Sequence, residues 1–118
     1  MGMTPEMMKR RTKEFALRVL RVVDSLPKRF IAVHMGGQLA RCGTSVASNY
    51  RAACRARSKK EFCSKLGVVE EEADESVFWM EMLVEAKIVK ESLLGNLIQE
   101  GNEILAIVVA SIRTARDS

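Results

Sequence analysis

The side chains that could do chemistry are few. The chain holds one histidine, His34, and three cysteines, Cys42, Cys54 and Cys63. Acid–base and nucleophilic catalysis need such a group held beside a second one that activates it. His34 lies next to Gly36-Gly37 with no serine or cysteine nucleophile in motif context, the setting of a surface or cap residue rather than a base. No P-loop, GxGxxG or GxSxG occurs, which removes the loops on which nucleotide-driven and serine-hydrolase chemistry lean. The cysteines are odd in number and without CxxC spacing, so neither a disulfide framework nor a zinc knuckle is expected, and reduced thiols of a cytoplasmic protein are.

Carboxylates offer a metal centre as the next possibility. Glu70, Glu71, Glu72, Asp74 and Glu75 form an acidic run. A di-iron bundle needs Glu from two helices and Glu-x-x-His from two more. This chain has no Glu-x-x-His, and its last quarter adds only Glu100 and Glu103 near the right place. Bound metal in purified protein is what a cryptic enzyme would require. The sequence assigns no catalytic residue, cofactor or metal ligand. Glu71 and Glu75, one helical turn apart, are expected instead to answer Arg51 or Arg55 across a helix pair.

The basic residues are the sharper set. Arg41, Arg51, Arg55, Arg57, Lys59, Lys60 and Lys65 crowd into one stretch in which Glu61 is the one acid. Arg51 and Arg55 share a helix face, and guanidinium forks suit phosphate. Lys9, Arg10, Arg11 and Lys13 make a second cluster. Residues 1–69 carry a net +11 and residues 70–118 a net −7. Such polarity serves either a nucleic-acid backbone or contacts between oppositely charged halves of neighbouring subunits. Aromatic residues make up only 5% of the chain, so base stacking of the single-strand-binding kind is not expected. Asn49, with Ser45 and Ser48, is expected in a polar network with Arg55 or an acid of the following helix.

These groups need helices to position them. With 118 residues, 47% apolar and 29% charged, the chain is long enough for one domain spanning 1–118 and too apolar for disorder. Two prolines and few aromatics argue against an all-β fold. Thr4-Pro5-Glu6 opens a first helix whose stripe runs Phe15, Val19, Val22, Val23 and Leu26 and stops at Pro27. The second segment runs from about Phe30 to Arg57 and is interrupted by Gly36, Gly37 and Gly43, so a kink or late start is expected, with its firm part at Gly37 to Ala56. Ser58-Lys59-Lys60-Glu61 is a capping box that starts a third helix. That helix carries a core stripe from Phe62 to Val84 and a second one through Phe78, Trp79, Met82 and Ala86, with Trp79 as a core or interface anchor. The fourth runs from about Lys90 to Arg116 and is apolar nearly all round, which suggests a subunit interface. The fold class is all-α, an antiparallel up-down-up-down four-helix bundle. The longest apolar run, Ile104 to Ile112, is broken only by Ser111 and is too short to span a membrane, and residues 1–13 lack the apolar region of a secretory signal.

The string from Gln38 to Ala53, then Arg57 to Phe62, Glu70 to Glu75 with Trp79, and Ala110 to Arg116, resembles a family of bacterial four-helix-bundle proteins encoded in the intervening sequences of large-subunit ribosomal RNA genes. The resemblance spans about Phe15 to Arg116. Cys42 stands where that pattern has serine, and Ser48 where it has glycine or alanine. It implies an up-down bundle assembled as a ring, a homopentamer, and an association with ribosomal RNA. The family is similar in turn to the accessory variability proteins of diversity-generating retroelements, basic pentamers that bind a reverse transcriptase and nucleic acid. Two functions follow as expectations. One is a non-enzymatic homo-oligomer that binds RNA or DNA through the seven basic residues. The other is a structural adaptor whose partner is a protein such as a reverse transcriptase.

Overall fold

A computed structural model describes residues 3–118; Met1 and Gly2 of the expected 1–118 domain lie outside the described residues. Four helices follow one another: α1 (Pro5–Asp24), α2 (Phe30–Ala53), α3 (Lys59–Glu85) and α4 (Glu91–Arg116). Each local start has a reason in the sequence. Thr4 Oγ1 accepts from the Met7 N–H at 3.1 Å with Pro5 next to it at the first helical position. Ser58 Oγ accepts from the Glu61 N–H at 3.0 Å. The Glu61 carboxylate reaches back as expected, but to the N–H of Arg57 at 3.3 Å, one residue before the cap.

The turns between helices are short, so consecutive helices pack antiparallel into a rod of 47 × 25 × 20 Å. α2 packs on both α1 and α3, α3 packs on α4, and α1 meets α4 only lightly. Phe15 and Val19 of α1 share one core with Leu39 and Val46 of α2, Leu66, Met80 and Leu83 of α3, and Leu94 and Ile104 of α4. The two buried hydroxyls stay satisfied within their own helices. Thr12 donates to the Met8 carbonyl and Ser76 to the Glu72 carbonyl, each at 2.8 Å.

The second helix departs from expectation. It begins at Phe30, runs unbroken through all three glycines and ends at Ala53 rather than Ala56. Packing outweighs propensity here. A Cβ on Gly43 would lie 2.7 Å from Val19 Cγ1, and one on Gly36 would lie 2.8 Å from Leu26 Cδ1. These glycines let α1 and α2 approach closely, and that contact offsets a propensity cost of about 1 kcal/mol per residue.

The α3–α4 turn is closed by a residue the sequence does not advertise. Lys87 has φ 61°, and the N–H of Ile88 bonds the Leu83 carbonyl at 3.0 Å while that of Lys87 bonds Val84 at 2.9 Å. This is a Schellman ending with lysine in the left-handed position where glycine is usual. α4 is also long and apolar enough to cross a membrane, with a mean hydropathy of 1.2 over its best window, which a search for uninterrupted apolar runs passes over. In this fold its Leu94, Leu97, Gly101, Ile104, Val108 and Ile112 line the bundle core.

Candidate nucleic-acid interface

Antiparallel packing brings the start of α1, the end of α2, the start of α3 and the end of α4 to one end of the rod. Pro5, Tyr50 and Phe62 border one small hollow there, and Lys59 Nζ donates to the Ser118 carbonyl at 2.6 Å. The seven basic residues do not form one patch at this end. They separate into three groups.

Arg51, Arg55, Arg57 and Lys65 come together. With Ser48, Ala52 and Glu61 they line an open depression of about 520 Å³ between α2 and α3. None of the four forms an ion pair among the described residues. Lys59 and Lys60 face the other flank of α3, where they line a second depression of about 460 Å³ with Cys63, Ser64 and Arg116. Arg116 is a cation of this end that sequence proximity leaves out, because it is more than fifty residues from Lys60 in the chain.

Arg41 belongs with neither group. Its guanidinium bonds Glu75 and, at 3.1 Å, Glu72. Glu75 also accepts from the indole N–H of Trp79 at 3.0 Å. The guanidinium and then the indole hold the Glu75 carboxyl below its usual range. Glu75 therefore answers Arg41 and not Arg51 or Arg55, because the antiparallel register puts it midway along the rod, more than two turns from Arg51. Glu71 is exposed on the outer side of α3 and forms no ion pair among the described residues. Asn49 makes no contact with Arg55 or with an α3 acid; its amide donates to Ser45 of its own helix, to Oγ at 2.7 Å and to the carbonyl at 3.0 Å. A half-buried amide is satisfied locally there, so it does not set the register between helices.

The other basic cluster divides in a similar way. Arg11 donates to both oxygens of Glu100, at 2.7 and 2.8 Å, and to Glu103 at 2.8 Å, and so ties α1 to α4. Its pKa is raised further by the Glu100 bond. Lys9 pairs with Glu6 at 2.8 Å, whereas Arg10 and Lys13 stay exposed. Neither Glu100 nor Glu103 could be matched to Arg11 from spacing, because only the closed bundle brings residues 11 and 100 together.

His34 is exposed and stands edge-on to Trp79, with ring centroids 6.0 Å apart. Trp79 is half-buried and anchors the α2–α3 seam through Glu75. The second stripe of α3 is only partly covered, since Phe78 and Met82 point outward. A second apolar surface lies between α1 and α2, an open groove of about 720 Å³ whose lining includes Leu17, Leu20 and Val33. No group of three or more histidine, cysteine or carboxylate side chains is placed to hold a metal ion among the described residues.

Fold and surface together define a class: an all-α four-helix bundle with a cationic end and uncovered apolar faces along its length. The chain belongs to the family of 23S rRNA-intervening sequence proteins, whose profile matches residues 7–110. Its structure is similar to a crystal structure from Bacteroides thetaiotaomicron VPI-5482, described as a protein of unknown function from the S23 ribosomal protein family. The two superpose with a TM-score of 0.86 at 27% identity, over 92% of this chain and 97% of the other. No curated protein matches the sequence.

Proposed function

We propose that this protein is a non-enzymatic homo-oligomer that binds nucleic acid, ribosomal RNA in the first place, through the basic end of its bundle. The observation that carries the reading is a contrast between arginines. Arg11 and Arg41 are neutralised by acids of neighbouring helices, whereas Arg51, Arg55 and Arg57 gather with Lys65 around one open depression, form no ion pair among the described residues, and share that depression with a single acid, Glu61. Unpaired guanidinium forks collected in a concavity suit phosphate oxygens.

Self-association draws support from the apolar faces. The α1–α2 groove is rimmed by Arg21 and Lys28 together with Asp24. The outward Phe78 and Met82 of α3 lie among the exposed acids Glu71, Glu81 and Glu85. A basic-rimmed groove and an acidic-flanked ridge on different faces of one chain fit a head-to-tail contact between copies, which closes into a ring. The homopentamer is the ring size that the family resemblance implies. A second reading, an adaptor for a protein partner such as a reverse transcriptase, is favoured by the far end of the rod. There Phe30 is 86% and Leu93 72% exposed.

Fluorescence anisotropy with a structured RNA and a matched DNA duplex, across several salt concentrations, tests the binding. Replacing Arg51, Arg55, Arg57 and Lys65 by glutamine should weaken binding and flatten the salt dependence by about one unit of log–log slope for each phosphate no longer neutralised. Binding that is unchanged in this variant removes the depression from the account. Light scattering on Phe78→Lys with Met82→Lys tests assembly, with loss of mass expected. Absence of nucleic-acid binding even at low salt would favour the adaptor.

A further inference from the structure

We infer that the protein grips a double-stranded nucleic acid by straddling it, with one cationic depression on each flank of α3 meeting one of the two phosphate rows that border a groove. The inference rests on the nucleic-acid reading above and adds the form of the ligand and a second contact site.

Three observations lead to it. First, the cations of this end that form no ion pair among the described residues fall into two concavities rather than one, Arg51, Arg55, Arg57 and Lys65 on the α2 side and Lys60 and Arg116 on the α4 side. The Lys59 ammonium, also at the second concavity, is held by the Ser118 carbonyl. Second, the body separating them is the first turns of a single helix, so the two sets stand apart by about the 10–12 Å diameter of a helix with its side chains. Third, Glu61, the one acid between residues 41 and 69, lies in the exposed first turn of α3 at the rim of the α2-side concavity, which it lines together with Lys65.

Single phosphate chains and duplexes present different charge patterns to such a surface. One backbone laid across this end would place a phosphate close to the Glu61 carboxylate. Two backbones bordering a groove would each meet cations and leave the floor of the groove opposite the first turn of α3. A B-form major groove is about 12 Å wide, and the minor groove of A-form RNA is wide and shallow, so the spacing fits a strand pair of either kind. The aromatic side chains of this end agree, Tyr50 being buried and Phe62 half-buried, since single strands are usually held by stacking on exposed rings.

The test compares the full-length protein with two double variants, R51Q/R55Q and K60Q/R116Q. All four side chains are exposed and outside the ion pairs, so both variants should keep the circular dichroism of the parent. Each protein is titrated with a 20-base-pair RNA duplex, a DNA duplex of the same sequence and the corresponding single strand. The parent should prefer duplex over single strand, and each variant should lose at least tenfold in duplex affinity and up to about two units of salt slope. K60Q/R116Q should at the same time leave single-strand binding within about twofold. Preference for the RNA duplex over the DNA duplex would assign the A-form groove, and equal binding would assign phosphate rows of either helix. Parental duplex binding by K60Q/R116Q, or single-strand binding as tight as duplex binding in the parent, would overturn the straddling geometry while leaving nucleic-acid binding in place. Failure of the parent to bind any of the three would overturn both.

Discussion

Gly43→Ala is the substitution on which the packing account stands most exposed. By helix propensity alone the change should stabilise α2 by about 1 kcal/mol. Structure reverses the sign. The new methyl would lie 2.7 Å from Val19 Cγ1 and 3.1 Å from both Cβ and Cγ2 of the same residue. Valine cannot swing aside, because its branched Cβ has one favoured rotamer in a helix. The α1–α2 spacing must open instead, at the usual overpacking cost of about 1–3 kcal/mol. Set against the propensity gain, a net loss of up to about 2 kcal/mol remains. Gly67→Ala is the control, since a methyl there meets nothing within 4 Å and should stabilise by about 0.5–1 kcal/mol. At roughly 0.25 kcal/mol per kelvin for a domain of this size, the two melting temperatures should separate by about 2–12 °C. Thermal unfolding followed by circular dichroism measures this, at matched protein concentration because assembly shifts the midpoint. Trimming Val19 to alanine in the Gly43→Ala background should recover at least about 0.5 kcal/mol relative to additivity. A Gly43→Ala protein that melts at or above the Gly67→Ala protein would refute close α1–α2 contact as the reason for glycine at 43.

The other expectations are narrower. Arg11→Met leaves Glu100 without its fork in a position where only 19% of its side chain is exposed, and chemical denaturation should show a loss of about 1–2 kcal/mol, discounted for the water that still reaches the pair. Glu75 is held low first by Arg41 and then by Trp79, and Glu103 first by Gln99 and then by Arg11. Groups lowered in this way contribute stability above their unfolded pKa of about 4.3 and lose it as pH falls through the folded value. Unfolding free energy should therefore be flat from pH 7 to about 5 and drop below about pH 4.5, less steeply in Glu75→Gln/Glu103→Gln; an identical acid limb in that variant would exclude these carboxylates. Lys87→Gly should raise stability by about 1 kcal/mol by relieving the left-handed backbone, with the melting temperature as the readout. Burial pushes the Cys42 thiol up, so a thiol-labelling reagent should modify the half-buried Cys54 and Cys63 quickly and Cys42 only on unfolding.

The helices were legible because their signals are local. Thr4-Pro5, Pro27 and Ser58 mark boundaries through interactions within four residues, and the apolar stripes of α1 and α3 name their core faces. The path of α2 through Gly36 and Gly43 was not legible, since what those glycines accommodate is the body of Val19 on α1 and of Leu26 in the turn after it. The basic end shows the same division. Arg51, Arg55 and Lys65 are near neighbours in sequence and also in space. Arg41 is near them in sequence but pairs with α3 in mid-rod, and Arg116 is distant in sequence but meets Lys60 at the end. Charge pairing between helices depends on the register and direction of packing, and no spacing rule within one helix contains that information. The Arg11–Glu100 clamp escaped for this reason, as did the local satisfaction of Asn49.

The light contact between α1 and α4 has a consequence for how the chain folds. Most contacts join helices adjacent in sequence, so the α1–α2, α2–α3 and α3–α4 hairpins can each zip across a short turn. Joining α1 to α4 instead closes a loop of 89 residues from Arg11 to Glu100, an entropic cost of roughly 4 kcal/mol if nothing between them were ordered. That closure becomes cheap once the three hairpins exist, which makes it the last event on the folding path and the first on the unfolding path. The guanidinium fork on Glu100 then acts as a latch on the opening rate. In stopped-flow chevrons, its removal should speed unfolding and leave the refolding rate almost untouched.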